Sequence, residues 1–96
     1  MKKILFSLSL LITVVFSSFA QQIRVATYNI RQKNTHDVGN MWEDRKNSVT
    51  NLIKFHGFEI FGIQEAFIDQ VKDMESALPD YKSVGVGRDD GADKGE

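Results

Sequence analysis

Ile60-Phe61-Gly62-Ile63-Gln64-Glu65 is a short apolar run that ends abruptly in a carboxylate. Runs of this length are strands buried on both faces, and an acid seldom sits in one without a partner. Glu65 therefore needs an explanation, and a hard divalent cation supplies one. Open α/β sheets bind their ligands at the C-terminal edge of the strands, where such a carboxylate would stand.

Working outward from Glu65, the chain reads as alternating strands and helices. Upstream, Ile23 to Ile30 is rich in β-branched and aromatic residues and reads as a first strand, with Asn29 as its one misplaced member. A polar loop, Arg31 to Gly39, follows. Asn40 with Glu43 three residues on has the form of a capping pair and predicts a helix start. That helix carries Trp42, Arg45, Val49, Leu52 and Ile53 on one side, and Gly57 ends it. Glu59 to Gln64 is the second strand. Downstream, Phe67 to Leu78 is a second helix with the stripe Ile68, Val71, Met74, Leu78, stopped by Pro79. Tyr81 to Gly87 is expected to be a third strand, and turn material follows Arg88.

Two strands joined by a helical crossover are normally parallel. If they are also neighbours, Asn29 and Glu65 stand at equivalent ends of adjacent strands. An amide oxygen and a carboxylate there are hard donors suited to Mg²⁺, which takes few protein ligands and leaves its other positions to water and substrate phosphate.

The 96 residues contain 12 Lys and Arg, 13 Asp and Glu, and no Cys. Lys2 and Lys3 precede the apolar segment Ile4 to Phe16, and Ser18-Phe19-Ala20 supplies the small residues of a cleavage site. Residues 1–20 are thus expected to be a secretory signal, cut between Ala20 and Gln21. The segment is too short to span a bilayer comfortably, so no stable membrane anchor is expected, and the exported protein would be periplasmic or extracellular. Residues 21–96 carry 10 basic and 13 acidic side chains, a net charge of -3, with no basic stripe of the kind that coats nucleic acid. An exported chain without Cys has no disulfide framework, and one this small would be marginal alone. With its polar, turn-rich ending, it is expected to be the N-terminal portion of a larger domain.

Val25 to Arg31, then Trp42 with Arg45, then Ile60 to Glu65 together resemble the N-terminal part of the endonuclease/exonuclease/phosphatase superfamily. Gly85 to Gly91 is similar to the segment that precedes the next strand in secreted bacterial members. The resemblance covers Ile23 to Glu96, and departs at Glu59, where the family usually has Asp. It implies an α/β fold, a four-layer, DNase I-like two-sheet sandwich only partly contained in this chain. It also implies hydrolysis of phosphate esters with a divalent metal, Mg²⁺ or Mn²⁺. By matching motif Glu65 would be the metal carboxylate and Asn29 a metal or phosphate contact, both catalytic. The family's histidine pair and further Asp and Asn residues fall downstream of these motifs.

Plainer readings stand beside these. Glu65 also suits an acid opening a helix, and Asn29 a strand-ending turn. Gln64 reads as a structural hydrogen bonder, and Trp42 and Arg45 as packing, with the Arg placed to support the site indirectly. Arg88 is a candidate substrate-phosphate contact, though an exposed strand-end Arg is commoner. His36 and His56 read as surface residues. Asp89, Asp90, Asp93 and Glu96 lack the EF-hand pattern and read as a solvated loop. The expected substrate is a phosphorylated small molecule or a phosphodiester, with nucleic acid still among the candidates. The alternatives are a secreted binding module that kept the fold without the chemistry, and a piece with no function of its own.

Overall fold

A computed structural model describes residues 1–7 and 21–96. The apolar stretch and cleavage site of the expected signal peptide fall largely outside the described residues. Among those residues, no helix is long and apolar enough to cross a membrane.

The elements run β1 (Val25–Asn29), α1 (Trp42–His56), β2 (Ile60–Gln64) and α2 (Ile68–Ala77). β1 and β2 pair in parallel, from Val25 opposite Ile60 to Asn29 opposite Gln64. The ladder continues one step further, with Ile30 N–H donating to Gln64 O at 3.2 Å. At the other end, Glu59 takes the Arg24 N–H on its carboxylate at 2.6 Å, which seats β2 beside the entry to β1.

Helix α1 starts one residue later than the Asn40–Glu43 pairing predicts. Met41 is the cap residue, and its N–H donates to Asp44 Oδ2 at 3.0 Å. Asn40 belongs instead to the preceding turn, donating its N–H to Asp37 O and accepting from Arg45 Nε. At the far end Gly57 is left-handed (φ 59) and returns its N–H to Ile53 O, the expected cap.

The core is Ile30, Trp42, Val49, Ile53, Met74 and Leu78, with Tyr28, Phe61, Ile63 and Tyr81 packed against it. Trp42 is 1% exposed and its indole N–H reaches Asp73 Oδ2 at 2.8 Å, tying α1 to α2. Leu52 lies at the edge of this stripe, 40% exposed.

Two expectations fail here. The strands are not buried on both faces. Both helices lie on the face of Tyr28, Phe61 and Ile63, and the opposite face leaves Val25 67% and Ile60 61% exposed. Nor is Tyr81 to Gly87 a strand. The sheet described has two strands, and an extended segment with no ladder to join remains a loop, with Val84 fully exposed. After it the chain doubles back: Gly87 N–H donates to Ala92 O, and Asp90 Oδ1 accepts from Ala92 N–H and Lys94 N–H. Asp90 is thus a turn-former. A Cβ on Gly87 would lie 2.7 Å from the Lys94 backbone nitrogen, so only glycine allows this close return.

Candidate active site at the sheet edge

Both strands end in the same way. Past β1, Arg31 has φ 58, and past β2, Glu65 has φ 61, the two non-glycine residues in the left-handed region among the described residues. This conformation costs a side-chain-bearing residue about 1–2 kcal/mol and persists where the surroundings impose it. At Glu65 it breaks strand alternation at the carboxylate, which meets Asn29 on the neighbouring strand end.

Asn29 Nδ2 donates to Glu65 Oε1 at 2.7 Å, and Asn29 Oδ1 accepts the Arg31 N–H at 2.9 Å. One acceptor and one donor on opposite sides fix which way the amide faces. Glu65 Oε2 accepts a longer bond from Gln32 N–H, at 3.4 Å. The pairing expected of Asn29 and Glu65 therefore forms, with Asn29 acting on Glu65 as a hydrogen-bond donor.

Asn29 holds the Glu65 carboxyl below the ordinary carboxylate value and the Gln32 N–H adds to this; burial opposes them, and the Arg31 charge is the smallest influence, again lowering it. A lowered folded-state pKa contributes stability that is present above the unfolded-state value and is lost as pH falls through the folded one. A carbon-detected NMR titration should place the Glu65 midpoint below the ~4.3 of free glutamate. Asn29→Ala should move that midpoint up; an unmoved midpoint would show that Asn29 does not hold the charge.

Around this pair the loop after β1 is tightly held. Arg31 pairs with Asp37 through Nε at 2.6 Å and Nη2 at 2.7 Å, which raises the arginine's pKa and lowers that of Asp37. Arg45 donates to Ile30 O at 2.5 Å, Arg31 O at 2.9 Å and Asn40 O at 3.0 Å, with its guanidinium 5.5 Å from the Trp42 ring centre. Gln70, completely buried, donates to Arg31 O at 3.0 Å and accepts from Lys33 N–H at 2.9 Å and Phe67 N–H at 3.1 Å. Sequence reasoning missed Gln70. As the third residue of α2 it reads as an ordinary capping side chain, and only its burial reveals more.

The other candidates are placed less tightly. Arg88 is exposed, loosely paired with Asp89 and Glu96 at 3.7 and 3.6 Å, and lines the same open cleft of about 710 Å³ as Glu65. Gln64 accepts from Thr27 Oγ1 at 3.2 Å, the structural bond expected of it. His36 and His56 are exposed.

Glu65 suits a hard cation in charge as well as in donor type. Its hydrogen-bond donors are neutral, and among the described residues no ion pair engages it. Three or more His, Cys, Asp or Glu do not gather at one point among those residues, and Glu65 is the carboxylate that Asn29 meets at this edge. That suits Mg²⁺, which is commonly bound through one or two carboxylates with water and phosphate completing the shell.

No family model matches the chain. No curated protein matches it significantly in sequence. Solved structures do. An endonuclease/exonuclease/phosphatase family protein from Bacteroides thetaiotaomicron is 48% identical over 76% of this chain, with a TM-score of 0.74. A mannosyl-6-phosphatase from the same species is 47% identical over 77%, with a TM-score of 0.75. An endonuclease/exonuclease/phosphatase from Bacteroides vulgatus is 43% identical over 79%, with a TM-score of 0.77. This chain spans 28% of the length of the first two and 29% of the third. Its α/β arrangement matches the corresponding part of their fold, and at these identities the likeness extends beyond fold to ancestry: the chain belongs to the endonuclease/exonuclease/phosphatase family.

Proposed function

We propose that the chain contributes the N-terminal half-site of an exported, Mg²⁺-dependent phosphate-ester hydrolase acting on a phosphorylated small molecule. The observation that carries this is the Asn29–Glu65 pair at the C-terminal edge of two parallel strands, with the carboxylate free of ion pairs among the described residues. Family membership supplies the reaction class, and the mannosyl-6-phosphatase neighbour favours a sugar phosphate over a long nucleic acid. The net charge of residues 21–96 favours the same choice.

In this reading Glu65 holds the metal, with Mn²⁺ as a substitute. Asn29 keeps the Glu65 carboxylate charged and oriented, and is near enough to contact metal or phosphate. When bound, the cation neutralises a non-bridging phosphate oxygen and stabilises charge that develops in the displacement. Arg88, which lines the same cleft, has the forked geometry that suits a phosphate.

The test is turnover of hexose 6-phosphates by the whole enzyme to which this half-site belongs. Activity should disappear with EDTA and return with Mg²⁺ or Mn²⁺, and should exceed that on duplex DNA. Turnover unaffected by EDTA would overturn the metal reading, and a preference for DNA would overturn the substrate class.

A further inference from the structure

We propose that Gln70 and Arg45 form a clamp that positions the Asn29–Glu65 pair by gripping the carbonyl ends of the two peptide groups whose N–H ends face that pair. The proposal rests on the reading of Glu65 as a metal carboxylate, which it extends to residues that touch neither metal nor substrate.

A trans peptide is planar, with its C=O and N–H pointing in opposite directions. Fixing one end therefore aims the other. In the peptide between Ile30 and Arg31, the oxygen accepts from Arg45 Nη1 and the N–H donates to Asn29 Oδ1. In the next, between Arg31 and Gln32, the oxygen accepts from both Arg45 Nη2 and Gln70 Nε2, and the N–H points at Glu65 Oε2. Gln70 then takes the Lys33 N–H on its own Oε1. Two consecutive peptides are thus held from behind and directed forward, one at each member of the pair.

A glutamine in the third position of a helix needs only one bond to serve as a cap, and Gln70 makes that one with Phe67 N–H. Its other two bonds cross to the loop after β1. Phe67 lies two residues past Glu65, so one buried amide links the two loops that carry the pair. The left-handed conformations of Arg31 and Glu65 need such outside support, because neither residue prefers them. Groups that orient metal-binding side chains typically change affinity by ~10–100-fold when lost.

The test uses the full chain with three variants. Gln70→Met keeps the volume and removes all three bonds; Gln70→Glu keeps the two acceptor contacts and loses the bond to Arg31 O. Met74→Ala, in the same helix and core, is the stability control. Three quantities are read: Mg²⁺ affinity by calorimetry, the Asn29 side-chain amide resonances of the metal-free protein, and thermal unfolding. Gln70→Met should weaken Mg²⁺ binding by ~10–100-fold and move the Asn29 amide signals toward those of a free amide, with Gln70→Glu intermediate. Met74→Ala should lower the melting temperature and leave both other quantities unchanged. Wild-type Mg²⁺ affinity and Asn29 signals in Gln70→Met would overturn the proposal. Should that variant not fold, the same outcome in Gln70→Glu would do so. Wild-type protein without Mg²⁺ affinity would refute the functional reading alone, and the amide signals would still decide whether Gln70 positions Asn29.

Discussion

Glu65→Ala in the whole enzyme is expected to lower kcat/KM for its phosphate ester by roughly a thousandfold while lowering the melting temperature only slightly. The magnitude follows from what a metal provides as a Lewis acid, several kcal/mol of charge stabilisation, at about 1.4 kcal/mol per tenfold in rate. The small effect on stability follows from position: Glu65 is at the sheet edge, outside the core of Trp42, Ile53 and Met74. Its charge meets two neutral donors and no ion pair among the described residues. Alanine inherits the same φ of 61, so it neither adds nor removes backbone strain. Glu65→Gln, which preserves shape and removes charge, should lose nearly as much activity and should no longer bind Mg²⁺ measurably by calorimetry. A protein that keeps full turnover in Glu65→Ala would rule out Glu65 as the metal carboxylate. One that keeps its ligand but shows no turnover even as wild type would be a binding module on this fold.

The second large effect is expected at Trp42, and it falls on stability. Trp42→Ala should cost about 3–5 kcal/mol, the usual consequence of emptying a buried aromatic site. Domains typically have only about 5–15 kcal/mol in hand, so this variant should unfold at much lower urea. Trp42 fills the space between α1 and α2, donates to Asp73, and stands beside the Arg45 guanidinium. Trp42→Phe isolates the polar part. It keeps most of the burial, loses the 2.8 Å bond to Asp73, and should cost about 1 kcal/mol because Asp73 is exposed enough to find water. Urea midpoints at constant m separate the two. Equal losses in Phe and Ala would mean that the hydrogen bond, and not the packing, carries the residue's contribution.

Much of this molecule is legible in local pattern. The apolar positions of α1 and α2, the left-handed glycine after His56 and the proline after Leu78 depend on neighbours a few residues away, so helix ends fall within about two residues of expectation. The pairing of Asn29 with Glu65 also follows from the chain order. A strand, a helix and a strand of these lengths favour parallel neighbours, whose C-terminal ends then coincide. The family resemblance rests on the same residues, and structural neighbours at 43–48% identity bear it out.

What lay beyond local pattern depended on partners distant in sequence. A strand exists only beside another strand, so alternation of Val84 and Val86 with glycines could not make Tyr81 to Gly87 one. Burial of both faces of β1 and β2 needs a cover on each side, and the helices described here supply one. The left-handed turns at Arg31 and Glu65 carry no composition signal, because neither arginine nor glutamate prefers that conformation; at Arg31 the carbonyl is held by Arg45 and Gln70. The sequence alone therefore determined which residues face one another across the sheet edge, since that follows from register and direction. Only the tertiary structure decided how they are held there, because the holding groups lie some 15 and 39 residues away from the peptides they grip.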